Sequence, residues 1–302
     1  MNAGGLGSLL YLRSVYDVAE VVCGLFTSAP ACASMVLTRS QEDAMITIDA
    51  ATCIGDGRCV ETCPTRAFVL DDEGKAAKVP PDLFRCLGCG HCVSVCPVNA
   101  ITLEGDTSEQ TPPAPEQLAE QVAWLIKTRR SIRWFKPEPI PREALQRALD
   151  VARYAPTARN LQEVTWIAAD DPGRLKKVAD LTAAFLLESP ATAPSAKSYF
   201  DGQDTVLRGA PTLLLAQAPE DNWLSPQDCA AAVSYLEFML HARGIGSCWS
   251  GYVIRAAQKV PALRALLGVK EGCQVFAGLL IGYSMEQFQR IPGRKPVRID
   301  WL

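Results

Sequence analysis

CLGCGHCVSVCP, residues 86 to 97, carries four cysteines at C-x2-C-x2-C-x3-C spacing and closes on a proline. An upstream stretch, CIGDGRCVETCP at residues 53 to 64, aligns on it position for position. Cys53 faces Cys86, Cys59 faces Cys92, and Cys63-Pro64 faces Cys96-Pro97. Asp56 stands opposite Cys89. Each run is followed by a short apolar stretch, AFVL or AITL, so the segment is an internal repeat. Soft thiolates on short loops are the ligands that iron–sulfur clusters need. Gly55, Gly57, Gly88 and Gly90 let such loops turn tightly around a cluster. Tetrahedral zinc would want two C-x2-C knuckles per ion. Only one intact C-x2-C-x2-C run exists, and zinc gives no reason for the repeated Cys-Pro ends. His91, between the ligands, reads as a surface or supporting group.

The rest of the chain bounds what this segment serves. With 302 residues, nearly half of them apolar, there is room for a large domain and a smaller one. The net charge of −3 argues against a nucleic-acid or membrane-surface role, and no apolar run is long and charge-free enough to span a bilayer. Seven of the 12 cysteines lie between Cys53 and Cys96. Their spacing points to metal in a reducing compartment, here the cytoplasm, rather than to a secreted disulfide framework. Residues 1–44 are apolar but interrupted by Arg13, Asp17 and Glu20, with no basic segment in front. They read as a poorly packing tail, or as lying upstream of a start at Met35 or Met45, rather than as a signal peptide. Cys23 and Cys32 in this tail receive no role.

Three regions follow. Residues 45–104 are cysteine-rich, with short strands expected at MITID, AFVLDD, KVP and AITLE. Residues 105–116 are polar and proline-rich, a linker. From 117 to 302 helices alternate with apolar strands, an α+β pattern. Leu118, Val122, Leu125 and Ile126 form a helical stripe. Pro141 should open a helix that stops before Pro156. VTWIAA, PTLLLAQA and VFAGLLIGY read as buried strands. A long helix from Ser225 is expected to carry a capping box with Asp228 and to end at Gly244. It is apolar nearly all round and should be buried, in part at a subunit interface.

Residues 45–104, about a fifth of the chain, resemble the bacterial two-cluster ferredoxins. In that arrangement the fourth cysteine of each run serves the other cluster. The resemblance assigns Cys86, Cys89, Cys92 and Cys63 to one 4Fe-4S cluster. A second cluster takes Cys53, Cys59 and Cys96, with Asp56 at the remaining corner. A hard carboxylate holds iron more weakly than a thiolate, so this cluster is expected as 3Fe-4S or as a labile 4Fe-4S. Two alternatives stay open: Asp56 caps a turn, or the first cluster never assembles.

Four stretches, KTRRSIRWFKPEPIP, APTARNLQ, RGIGSCWSGY and IGYSMEQFQRIPGRKP, resemble in order and spacing the nitroreductase superfamily of FMN enzymes. The resemblance implies a three-layer flavin domain behind a ferredoxin-like iron–sulfur domain, and an intertwined homodimer with two flavins at the interface. Arg129, Arg130, Ser131 and Arg133 match the residues around the flavin phosphate, with Arg294 and Lys295 completing them. Asn160 matches an amide at the flavin's polar edge; Gln162 is kept from the same pattern, whereas Ala158 replaces a serine. Cys248, Trp249, Ser250 and Gly251 match the segment against the ring, where the N–H of Gly251 or Ser250 meets flavin N5. Ser250 stands where a better-studied branch has an acidic residue. Cys248 lacks a neighbouring base and reads as packing rather than nucleophile. No dinucleotide-binding fingerprint appears, and His241 reads as structural. The expected activity passes electrons from an external donor, reduced ferredoxin or NAD(P)H, through the clusters to FMN and on to a nitroaromatic, quinone or activated alkene. The alternative is a flavin–cluster electron carrier serving a protein partner.

Overall fold

The computed structural model describes residues 46–79, 86–104 and 108–302. The readings made for residues 1–44 lie outside them, as does the start of the linker. Residues 108–116 run exposed without regular structure, as a polar proline-rich segment should.

The cysteine repeat folds as two matching halves. Strands β1 (Ile46–Ile48) and β4 (Ile101–Leu103) pair antiparallel, and β2 (Phe68–Leu70) pairs with β3 (Ala76–Lys78). The strand expected at KVP ends at Lys78, ahead of the prolines. Helices α1 (Arg58–Thr62) and α2 (His91–Val95) pack on each other. Each starts at a glycine in the left-handed region, Gly57 at φ 74° and Gly90 at φ 73°. Each stops at an extended cysteine, Cys63 or Cys96. Four residues on, Ala67 N–H donates to Cys63 Sγ at 3.2 Å, and Ala100 N–H to Cys96 Sγ at 3.3 Å. The sequence repeat is thus a repeat of backbone conformation.

The large domain is a sheet between two helical layers. Its strands run in the order β5 (Thr165–Ala169), β6 (Thr212–Pro219), β8 (Cys273–Gly282), β7 (Gly246–Trp249), all neighbours antiparallel. Alternation along β6 divides the core. Leu213 and Leu215 face α5 (Pro172–Leu186), α8 (Gly251–Ala257) and α9 (Pro261–Leu267), whereas Leu214 and Ala216 face α4 (Arg142–Ala152) and α7 (Ser225–Ala242). A bulge at Phe276 lets Val275 join one layer and Ala277 the other. Gly278 is required: a Cβ there would lie 2.5 Å from Leu215 Cδ2 and 2.7 Å from Leu214 O. Helix α6 (Ala193–Phe200) packs beside α5.

Two expectations change in detail. Helix α7 is largely buried and ends before Gly244, which takes φ 71°. Its capping box, however, does not form. Leu224 occupies the cap, Ser225 Oγ donates to Pro219 O at 2.7 Å, and the Asp228 carboxylate is used elsewhere. Helix α3 (Leu118–Thr128) forms on the expected stripe, yet none of its residues is buried. Leu118, Val122, Trp124 and Ile126 are all exposed.

Candidate functional site

Cys63, Cys86, Cys89 and Cys92 line one cavity, together with Gly90 and His91. These are the four thiols assigned to a single cluster, three from one run and the fourth from the other. Gly88 N–H donates to Cys86 Sγ at 3.2 Å, the kind of bond that steadies a ligand sulfur. Among the described residues no three Cys, His, Asp or Glu side chains converge on one point as a single ion requires. Four thiols spread around one cavity are an arrangement that a multi-iron cluster can use. Burial pushes the Cys92 thiol up to about 11, so without metal this sulfur is protonated at neutral pH.

The other loop differs at one corner. Cys53 and Cys59 are buried, with Cys96 half-buried. Asp56 Oδ1 accepts from Arg58 N–H at 3.3 Å, and its Oδ2 lies 3.4 Å from Arg58 Nε. The carboxylate thus engages its own turn in this structure. Gly55 sits under the β2–β3 turn, where a Cβ would come within 2.3 Å of Gly74 O. Lys75 Nζ donates to Cys53 O.

In the large domain a buried carboxylate organises the predicted residues. Glu237, on α7, accepts from Arg129 Nη1 and Ser247 Oγ, each at 3.2 Å on Oε1, and from Trp249 Nε1 at 3.0 Å on Oε2. Sequence reasoning passed over Glu237; its one signal was a charge in the middle of the apolar stretch that follows Asp228. Ser131 bridges Ser247, and Ile132 N–H donates to Ser247 O at 2.9 Å. Residues 131–136 therefore lie between β7 and the chain after β8, with Lys136 N–H bound to Tyr283 O. An open pocket of about 180 Å³ results, lined by Ser131, Arg133, Trp134, Ser284 and Phe288 among others.

The four predicted phosphate residues divide by use. Arg129 is paired with Glu237, and Arg130 folds back onto the carbonyls of Lys127 and Arg129 at the end of α3. Ser131 and Arg133 face the pocket. Arg130 Nε and Ser250 Oγ are buried without a hydrogen-bond partner, as are Thr165 Oγ1 and Thr182 Oγ1 outside the site, among the described residues. Buried polar groups are rarely left so, and Arg130 and Ser250 belong to the predicted flavin-contact set. Ser250 N–H is taken by Gly278 O at 3.0 Å. Gly251, first residue of α8, has the free N–H of a helix start, and a Cβ there would meet nothing within 4 Å. Cys248 is buried, which raises its thiol pKa, in keeping with packing. His241 bonds Thr128 Oγ1 at 2.8 Å and stacks on Trp124, a structural place.

Asn160 and Gln162 lie apart from this group. Asp228 accepts from Ala158 N–H at 3.0 Å, so their turn sits at the start of α7. Asp228 and Glu237 are about 13 Å apart along the axis at ~1.5 Å per residue. Asn160 Nδ2 donates to Gly88 O at 2.9 Å, across to the iron–sulfur module. Arg294 and Lys295 sit on the exposed stretch after β8, where Arg294 donates to its neighbour Gly293 O.

This fold and its motifs match a known family. The nitroreductase family model fits residues 126–283, more than half the chain. The chain belongs to the nitroreductase family. Ahead of that domain, residues 45–103 match a 4Fe-4S dicluster domain. The chain is 32% identical over 169 residues to an Archaeoglobus fulgidus protein named "Putative NADH dehydrogenase/NAD(P)H nitroreductase", covering 56% of this chain and 88% of that one. It is 29% identical over 129 residues to an iodotyrosine deiodinase of Thermotoga neapolitana, covering 41% and 69%. A Bacteroides fragilis nitroreductase structure with bound FMN superposes with a TM-score of 0.52 at 24% identity, over 59% of this chain and 95% of that one. The three-layer fold, the mixed helix and sheet content, and the nitroreductase-type oxidoreductase class are thereby established.

Proposed function

We propose that the chain is an FMN- and iron–sulfur-dependent oxidoreductase that takes electrons from a low-potential donor and delivers them to a small organic acceptor. Ser131 and Arg133 hold the flavin phosphate, Arg130 Nε and Ser250 Oγ acquire the partners they now lack, and Gly251 N–H is the donor left for flavin N5. Arg294 and Lys295 complete the phosphate site from the chain after β8. Cys63, Cys86, Cys89 and Cys92 hold a 4Fe-4S cluster; Cys53, Cys59 and Cys96, with Asp56 nearby, hold a 3Fe-4S or labile 4Fe-4S cluster. Bound FMN supplies the ability to take electrons singly and pass them on as a pair, which the thiolate-held clusters cannot do for an organic acceptor. Glu237 keeps Arg129 and β7 in place under it.

The observation that carries the reading is the pair of buried, unpartnered donors, Arg130 Nε and Ser250 Oγ, in the set that the flavin should occupy. Two further features support a homodimer. The apolar face of α3 is uncovered, and the two groups of flavin residues stand apart within one protomer. A nitroaromatic, quinone or activated alkene is the acceptor class, with reduced ferredoxin or NAD(P)H as donor, in the cytoplasm. Anaerobic reconstitution followed by flavin and iron counts and an acceptor screen with each donor tests this. Absence of FMN binding overturns it. Turnover of no small acceptor, with reduction of a protein instead, favours the electron carrier.

A further inference from the structure

We propose that Asn160 docks the intact-cluster loop on the flavin domain, so that the cluster of Cys86, Cys89, Cys92 and Cys63 is adjacent to the flavin and the Asp56 loop is the outer port. The inference rests on the flavin and cluster assignments above and adds the order of the path.

The contact joins residues 72 apart in the chain: Asn160 Nδ2 to Gly88 O at 2.9 Å. Gly88 lies between Cys86 and Cys89, and both its polar groups are committed. Its N–H goes to Cys86 Sγ, and its C=O receives Asn160. One residue thus links a ligand sulfur to the large domain. On the other side the donor is fixed by its turn. Ala158 N–H is held by both Asp228 oxygens at 3.0 and 3.3 Å, and Gln162 N–H by Thr157 Oγ1 at 3.1 Å. Arg159 and Asn160 both sit at φ 54°; asparagine adopts this left-handed backbone readily, whereas Arg159 holds it only where its surroundings enforce it. An asparagine amide has two N–H donors and an acceptor oxygen. Gly88 uses one donor, leaving the other and the oxygen for the polar edge of a flavin at the dimer interface proposed above, since Asn160 stands apart from Ser131 and Arg133 of its own protomer.

The opposite loop is placed differently. Its contacts run to the module's own β2–β3 turn, through Gly74 and Lys75. Ile54 is 61% exposed beside it. A donor can reach this loop without displacing the large domain. Two one-electron transfers across the Asn160–Gly88 contact, with two protons from solvent, balance the reduction of one FMN. The electrons come from a reduced low-potential iron–sulfur protein, oxidised twice, and leave as a pair to the acceptor.

Asn160→Asp tests the contact, because it removes the donor and keeps the shape and the left-handed preference. In reconstituted holoprotein with excess FMN, hydrogen exchange of the Gly88–Gly90 amides should rise about two- to tenfold, the range of one lost hydrogen bond. Flavin bleaching after dithionite reduction of the clusters should slow, with iron and FMN content held. Wild-type exchange and wild-type bleaching would overturn the docking role. Cys89→Ala and Cys59→Ala test the order, each with iron counted. Dithionite can reduce the inner cluster directly, so transfer to flavin should be slower in Cys89→Ala than in Cys59→Ala; the opposite ranking refutes the order. Should the protein bind no FMN, the proposed function fails, while the exchange measurement on cluster-loaded protein still decides the contact.

Discussion

Glu237→Gln is the sharpest test of the site's construction. The carboxylate receives three donors, Arg129 and Ser247 on one oxygen and Trp249 on the other. Glutamine keeps the shape but offers one oxygen and an NH2 group. Turned one way, its NH2 faces the Trp249 indole N–H; turned the other, it faces Arg129. Either way a buried donor is left unpaired, at about 1–3 kcal/mol. Loss of the ion pair adds about 1 kcal/mol at most, because the Arg129 side chain is 27% exposed and screened by water. The sum, about 1–4 kcal/mol, corresponds to a fall in Tm of roughly 2–16 °C for a domain of this size. Thermal unfolding followed by near-ultraviolet circular dichroism measures it. Glu237→Leu, which leaves all three donors unpaired, should cost more. A Gln variant within about 0.5 kcal/mol of wild type, the scatter of a surface change, refutes the role given to Glu237. So does a Leu variant more stable than Gln.

Other outcomes follow from the same geometry. Arg133→Ala should weaken FMN binding by about 1.5–3 kcal/mol, the range of a charge-assisted bond; unchanged affinity by fluorescence titration removes the 131–134 pocket from the phosphate role. Gly278→Ala should destabilise the fold by about 1–3 kcal/mol through the clash with Leu214 and Leu215, read by denaturant unfolding. Asp56→Cys should convert the first cluster to a stable four-iron form, whereas wild type shows a three-iron paramagnetic signal when mildly oxidised; an Asp56→Ala protein that takes up a fourth iron as readily as wild type excludes Asp56 as a ligand. With its pKa raised by burial, the Cys248 thiol stays protonated at neutral pH, so native protein should label there with iodoacetamide far more slowly than unfolded protein; equal rates would contradict the burial.

The sequence carried the modules wherever a pattern repeated locally. Cysteine spacing marked the cluster loops, and apolar runs such as PTLLLAQA marked the central strands. What it lacked were relations formed only by the fold. Ser225 and Asp228 look like a capping box in one dimension, but tertiary partners claim both side chains. Glu237 finds Arg129 over 108 residues of chain, and no local signal announces that pairing. Helices α5 and α6 were not read, because alanine, threonine and serine blur the contrast between their faces. The exchange of faces at Phe276 depends on one skipped pairing in β8. Asn160 was assigned to the flavin alone; its bond to Gly88 crosses between modules and has no signature in either.

The matching of the two cysteine halves has an evolutionary meaning. Their helix starts agree within a few degrees, at Gly57 and Gly90, and so do their ends, at Cys63 and Cys96. Arg66 and Asn99 share a φ of 54°. The chain therefore follows one path whether a carboxylate or a thiol occupies the corner. An ancestor with cysteine at position 56 and a descendant with aspartate would be neighbours in sequence, joined by one substitution that asks nothing of the backbone. Selection could then adjust the redox behaviour of one half of the duplication while the other stayed as it was.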